Sequence, residues 1–148
     1  MNIRCLAALL ILAVSLFSCS NKEEGEEIPF NTMAKGDNLD LNSGIPRQDV
    51  IIRSQEEWDD LIAVMGSQRF IETEIDFDTH LVIVAIGEVR GEGGWEFSIT
   101  KIINLSDKVI VTVKETPPRF IAPTVMSQYY HVVKVPKLAK SIDFKYIK

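Results

Sequence analysis

The sequence predicts an α+β fold: mainly antiparallel β-sheet, as a sandwich or an open barrel-like form, with one amphipathic helix near residues 54–66. Three observations carry this. Only one segment, "SQEEWDDLIAVMG", has helical periodicity. Several segments alternate apolar and polar residues with a period of two, the mark of half-covered strands. Strands and helices do not alternate along the chain, so no parallel βαβ sheet is expected.

The helix carries its own start and stop signals. Ser54 suits an N-cap, and Glu57 three residues on completes a capping box. Trp58, Leu61, Ile62 and Met65 recur at i, i+3, i+4 and i+7 as one apolar stripe, and Gly66 supplies the C-terminal stop. "QDVIIR" before it (48–53) reads as a short β-branched strand. "LVIVAIG" (81–87) is apolar on both faces, as a central, doubly covered strand must be. "WEFSITKII" (95–103) sets Trp95, Phe97 and Ile99 toward a core. "NLSD" then turns the chain into "KVIVTVK", and the two form an antiparallel hairpin with one wet face. Residues 115–128, "ETPPRFIAPTVMSQ", hold three prolines and cannot be an interior strand. "YYHVVKV" and "IDFKYI" add two strands, bringing the expected total to five to seven.

The first 18 residues are of another kind. Behind Arg4 lies the thirteen-residue apolar run "CLAALLILAVSLF", too short for a membrane span of ~20 residues. Its length suits a signal-peptide core. Leu16-Phe17-Ser18-Cys19 resembles the lipobox of bacterial lipoproteins, which implies cleavage before Cys19 and lipid attachment there. The plainer reading is an ordinary signal with an incidental cysteine. Lys22-Glu23-Glu24 resembles acidic signals that send lipoproteins to the outer face of the cell, and a solvated linker has the same composition. Residues 19–42 are expected to form a flexible acidic tether and residues 43–148 a single domain. The expected location is the outer membrane, on its periplasmic or its surface-exposed face.

Charge and composition narrow the function further. Of 16 basic residues only Arg4 lies in the first 18, which hold no acid, so 15 basic and 21 acidic residues remain, a net charge of −6. Such a chain lacks the basic footprint of a nucleic-acid binder. Only Cys5 and Cys19 are cysteines, so a mature chain would have no internal disulfide.

"GEVRGEGGWEF" (87–97) holds four glycines but not the order of a phosphate loop, and it leads into a strand rather than a helix N-terminus. The glycines suit a tight connection instead. Hydrolase and metalloprotease motifs are missing, and no catalytic residue is expected. Asp76, Asp78 and His80 would share a face if "DFDTH" were a strand, but a closing ligand is missing, so no metal or other cofactor is expected. "GDNLDLNSG" lacks calcium-loop spacing. His131 lies opposite the Tyr130/Val132 face and reads as structural or surface.

The order of segments "SGI" (43–45), "VIIRSQEEW" (50–58), "IDFDTHLVIVAIGEVRGEGGWEFSITKI" (75–102), "ETPP" (115–118) and "YYHVVKVPK" (129–137) resembles the PrcB family of protease-complex accessory subunits, across residues 43–137. In this chain Gly91 and Trp95 stand where that pattern has proline and tyrosine. The resemblance implies a non-catalytic module that associates with a protease and aids its assembly or stability. Two loops, 87–95 and 115–128, flank the same hairpin and should open at the same end. Arg90, Trp95, Arg119, Phe120 and Tyr129 are therefore the candidate partner-binding residues, since such residue types are enriched at interface hot spots. Alternatively, Trp95, Phe120 and Tyr129 plug the end of the core. Two other readings stand beside the accessory one: a chagasin-like protease inhibitor using "RGEGGW" and "PPRF", and a small-ligand or glycan binder using Trp95 and the tyrosines.

Overall fold

The continuous apolar run at 81–87 sets the architecture, because both of its faces must be covered. In the computed structural model, which describes residues 25–37 and 45–148, strand β4 (His80–Arg90) lies inside a sheet and is buried on both sides from Leu81 to Gly87. Leu81, Ile83 and Ala85 face a second sheet. Val82, Val84 and Ile86 face the helix α1 (Gln55–Met65). The other strands are β1 (Glu26–Glu27), β2 (Asn31–Gly36), β3 (Gln48–Ile52), β5 (Glu96–Asn104), β6 (Lys108–Thr116), β7 (Ser127–Pro136) and β8 (Ser141–Ile147).

They form two four-stranded sheets, in the orders β1-β5-β6-β8 and β2-β7-β4-β3. The fold is α+β and sandwich-like, mostly antiparallel. Only β6 and β8 pair in parallel, with Lys108 opposite Ser141 and Lys114 opposite Ile147. The core between the sheets is filled by β-branched and aromatic side chains such as Ile99, Val111, Val133 and Phe97.

Helix α1 covers the outer face of the β2-β7-β4-β3 sheet and is capped as its sequence requires. Ser54 Oγ accepts the Glu57 N–H at 3.3 Å, and the Glu57 carboxylate accepts the N–H of Arg53, one residue before the cap, at 2.7 Å. Gly66 ends the helix at φ +91°, where only glycine sits without strain. Trp58 is wholly buried, meets Phe70 edge-on at 4.8 Å, and donates its indole N–H to Thr73 O at 3.0 Å. A buried tryptophan with a satisfied N–H holds both its packing and its polar group.

Three expectations need correction. Residues 26–27 and 31–36, placed in the tether, are strands in both sheets, held there because Ile28, Met33 and Ala34 are buried. The described strands number eight rather than five to seven. "DFDTH" is a turn, not a strand: Asp76 accepts from Asp78 N at 3.0 Å and Thr79 Oγ1 at 2.8 Å, and these bonds hold its carboxyl below its ordinary pKa. Cys19, the lipobox, the Lys22-Glu23-Glu24 signal and most of "GDNLDLNSG" lie outside the described residues.

Candidate functional site

The β4–β5 and β6–β7 connections meet at one end of the sandwich. A bulge between Ile86 and Val89 lets β4 run on to Arg90, which pairs with Ser127. The chain then reverses through Gly91–Gly94, with Gly94 at φ +80°. Gly93 donates its N–H to Pro123 O at 3.1 Å, and Ser127 Oγ–H donates to Glu92 O at 3.0 Å. A side chain at Gly93 would press on Val125 and Pro123, and one at Gly94 on Pro118. The glycines of the first loop are thus the floor on which the proline loop, residues 117–126, rests.

The five candidate residues divide into two groups. Arg90, Trp95 and Tyr129 form a brace. The Arg90 guanidinium lies 4.0 Å over the Trp95 ring and is ion-paired to Glu115 and, at 3.7 Å, to Glu88. Trp95 is half-buried against the core, gives its backbone N–H to Tyr129 Oη at 3.2 Å, and gives its indole N–H to Glu92 at 3.3 Å. Tyr129 is buried. A cation stacked on an indole and paired to carboxylates is already satisfied, and it fixes the loop rather than awaiting a ligand. This is the core-plug alternative, and it holds for Trp95 and Tyr129.

Arg119 and Phe120 are the other group. Phe120 is 87% exposed, and its neighbour Ile121 is fully exposed. Val125, Met126 and Val89 extend the apolar surface, and none of the four aliphatic positions was among the candidates. For Ile121, Val125 and Met126 the signal in the sequence is "FIAPTVM", a mostly apolar run that Pro117, Pro118 and Pro123 keep out of a sheet. Arg119 forms no salt bridge among the described residues.

Two polar clusters tie the sheets together behind this surface. Arg47 reaches Glu88 at 3.3 Å and Glu115 at 3.7 Å and lies 4.4 Å over the Tyr146 ring, while Tyr146 Oη–H donates to Asp49 at 2.6 Å. Burial pushes both Asp49 and Tyr146 upward in pKa, and their shared bond raises the tyrosine further. On the other side His131, buried and pointing inward, accepts the Ile99 N–H on Nδ1 at 2.8 Å and meets Thr32 Oγ1 through Nε2 at 2.9 Å. Burial lowers its pKa from 6.5 to about 4. The histidine is structural.

Two shallow recesses flank Trp95, one of about 410 Å³ beside Lys35, Asp37 and Phe97, the other of about 340 Å³ beside Glu115, Pro117 and Tyr146. Tyr129 and Tyr130 are buried, and Arg90 lies over the Trp95 indole. Among the described residues no three His, Cys, Asp or Glu side chains gather to hold a metal ion, and no helix is long and apolar enough to cross a membrane.

The chain enters the domain at the opposite end. Glu26 pairs with Asn104, whereas β5 begins beside the loops at Glu96, eight residues or about 27 Å away along the strand. No family model, curated protein or solved structure matches the chain.

Proposed function

We propose that this chain is a non-catalytic cell-envelope lipoprotein, lipidated at Cys19 and held at the outer membrane, whose domain binds another protein through its loop end as an accessory or stabilising subunit of a protease complex. The observation that carries the reading is the pair of touching loops, rigidly based and apolar at the tip. Phe120 and Ile121 stand in solvent without a packing role, and a fixed apolar protrusion of this kind marks an interaction surface. The brace beneath it supports the same reading, because a pre-formed loop loses little conformational freedom on binding. The loop end lies about 27 Å along β5 from the point where the tether enters. A lipid at Cys19 would favour presenting the tip away from the anchoring bilayer. The PrcB resemblance supplies the protease as the class of partner.

The experiment is capture from native envelope extract. Residues 20–148 serve as bait, beside the same bait carrying Arg119→Ala, Phe120→Ala and Ile121→Ala. A protease or protease-bound complex recovered by the first bait alone is the expected result. Equal recovery by both removes the loop from the binding site, and recovery of nothing by either removes the protein-binding function. Palmitate labelling of the full chain, lost in Cys19→Ser, checks the anchor.

One feature favours inhibition as a second reading. Arg119–Phe120 lies in a loop bounded by Pro117, Pro118 and Pro123 and pinned at Gly93 and Ser127, an exposed segment held at both ends. Stoichiometric loss of the captured protease's activity identifies an inhibitor, and unchanged or raised activity identifies an accessory subunit.

A further inference from the structure

A second surface lies between strand β3 and helix α1. There a groove of about 490 Å³ is lined by Pro46, Val50, Leu61 and Val64, with the carboxylates of Glu57 and Asp60 on the helix side. Nothing in the described chain fills it, and Val64 is more than half exposed. No Lys or Arg lines it. Glu57 is engaged at the helix cap, where it accepts the Arg53 N–H, whereas Asp60 forms no hydrogen bond or salt bridge within the described residues. An apolar trough with a carboxylate rim fits a segment that carries a cation beside aromatic and aliphatic side chains.

This chain displays such a segment. Arg119, Phe120 and Ile121 follow one another on the proline loop, all three exposed. The prolines on either side and the bonds at Gly93 and Ser127 hold them outward. The geometry points to a head-to-tail contact in which the Arg119–Ile121 tip of one copy enters the β3–α1 groove of a second. Phe120 and Ile121 lie on the apolar floor, and Arg119 meets Asp60. The two surfaces are different patches of one molecule, so the contact is heterologous: it closes into a ring or propagates as a chain. The inference goes beyond the accessory-subunit reading and shares only the loop with it. A second copy and a foreign partner then compete for the same tip.

The test is sedimentation velocity of the full chain in density-matched detergent, with no other protein present, so its outcome is independent of whether a protease partner exists. Wild type is expected to associate as its concentration rises. Asp60→Lys alone and Arg119→Glu alone should each remain monomeric, because every contact then opposes like charges. An equal mixture of the two should associate again, since the Arg119 tip of the first fits the Asp60 groove of the second and the reversed pair is also complementary. Phe120→Asp should weaken wild-type association at least ~tenfold, as loss of a central apolar anchor does. All three positions are on the surface, and urea unfolding curves matching wild type confirm that each variant is folded. A wild type that stays monomeric overturns the inference. So does association that survives Asp60→Lys, which would place the loop against some other surface, and so does a mixture that fails to recover.

Discussion

Lowering the pH should destabilise this protein through His131. The ring is 3% exposed, and its Nδ1 already accepts the Ile99 N–H at 2.8 Å, so the single proton of the neutral imidazole sits on Nε2, facing Thr32 Oγ1. A second proton on Nδ1 would point at the Ile99 N–H, in a buried place, with the Lys35 ammonium nearby. Burial and, after it, Lys35 lower the folded-state pKa to about 4, against 6.5 for the free side chain. The unfolded chain therefore takes up a proton that the folded chain refuses. The histidine's contribution is complete above pH 6.5, is lost as pH falls from 6.5 to about 4, and changes no further below that. At about 1.4 kcal/mol per pH unit the interval is worth about 3 kcal/mol, a large share of the ~5–15 kcal/mol that stabilises a typical domain. His131→Asn isolates the effect, because the asparagine Oδ1 occupies the place of Nδ1 and accepts the same N–H without titrating. Urea unfolding of both proteins at pH 7 and pH 4 gives two differences. Wild type should lose about 3 kcal/mol more than the variant, and the carboxylates, common to both, cancel. Equal losses would refute the assignment of Nδ1 as an acceptor locked on Ile99.

Three further outcomes follow from the loop end. Trp95→Ala removes the ring under Arg90 and should cost about 2 kcal/mol in urea unfolding, below the 3–5 kcal/mol of a fully buried tryptophan because this one is half-buried. Gly94→Ala forces a side chain into φ +80° with its Cβ 3.4 Å from Pro118 Cβ, and should destabilise by about 1 kcal/mol, read as a lower Tm. Phe120→Ala with Ile121→Ala should leave stability within about 0.5 kcal/mol of wild type, since neither side chain packs on anything, while abolishing capture of a partner.

The elements with local causes were legible in the sequence. Ser54, Glu57 and Gly66 mark the ends of α1 by hydrogen bonds to residues at most four positions away, so their pattern is written in one short stretch. The doubly covered stretch of β4, residues 81–87, announced itself by being apolar throughout. Strand β2 did not, because "NTMAK" follows a polar run and becomes a strand only when Met33 and Ala34 find the outer face of β7. The parallel pairing of β8 was invisible for a related reason: alternation tells which face of a strand is buried, not the direction of its neighbour. At the loop end, sequence identified the residue types but not their company. Arg90 and Trp95 look alike as a free hot spot and as a stacked, ion-paired brace. The distinction rests on Glu115, on another strand 25 positions away. Phe120 and Ile121 are exposed because the prolines around them keep the segment out of either sheet.

The entry of the chain beside Asn104 and the loops at the far end have a mechanical meaning. A pull applied between Gly25 and the Phe120 tip would run along the strands rather than across them. Strand β1, two residues long, should peel away first. Strand β2 lies antiparallel to β7 over Asn31–Gly36, so the same pull would load its backbone bonds together in shear instead of opening them one after another. The domain is thus built to stay folded while its two ends are drawn apart.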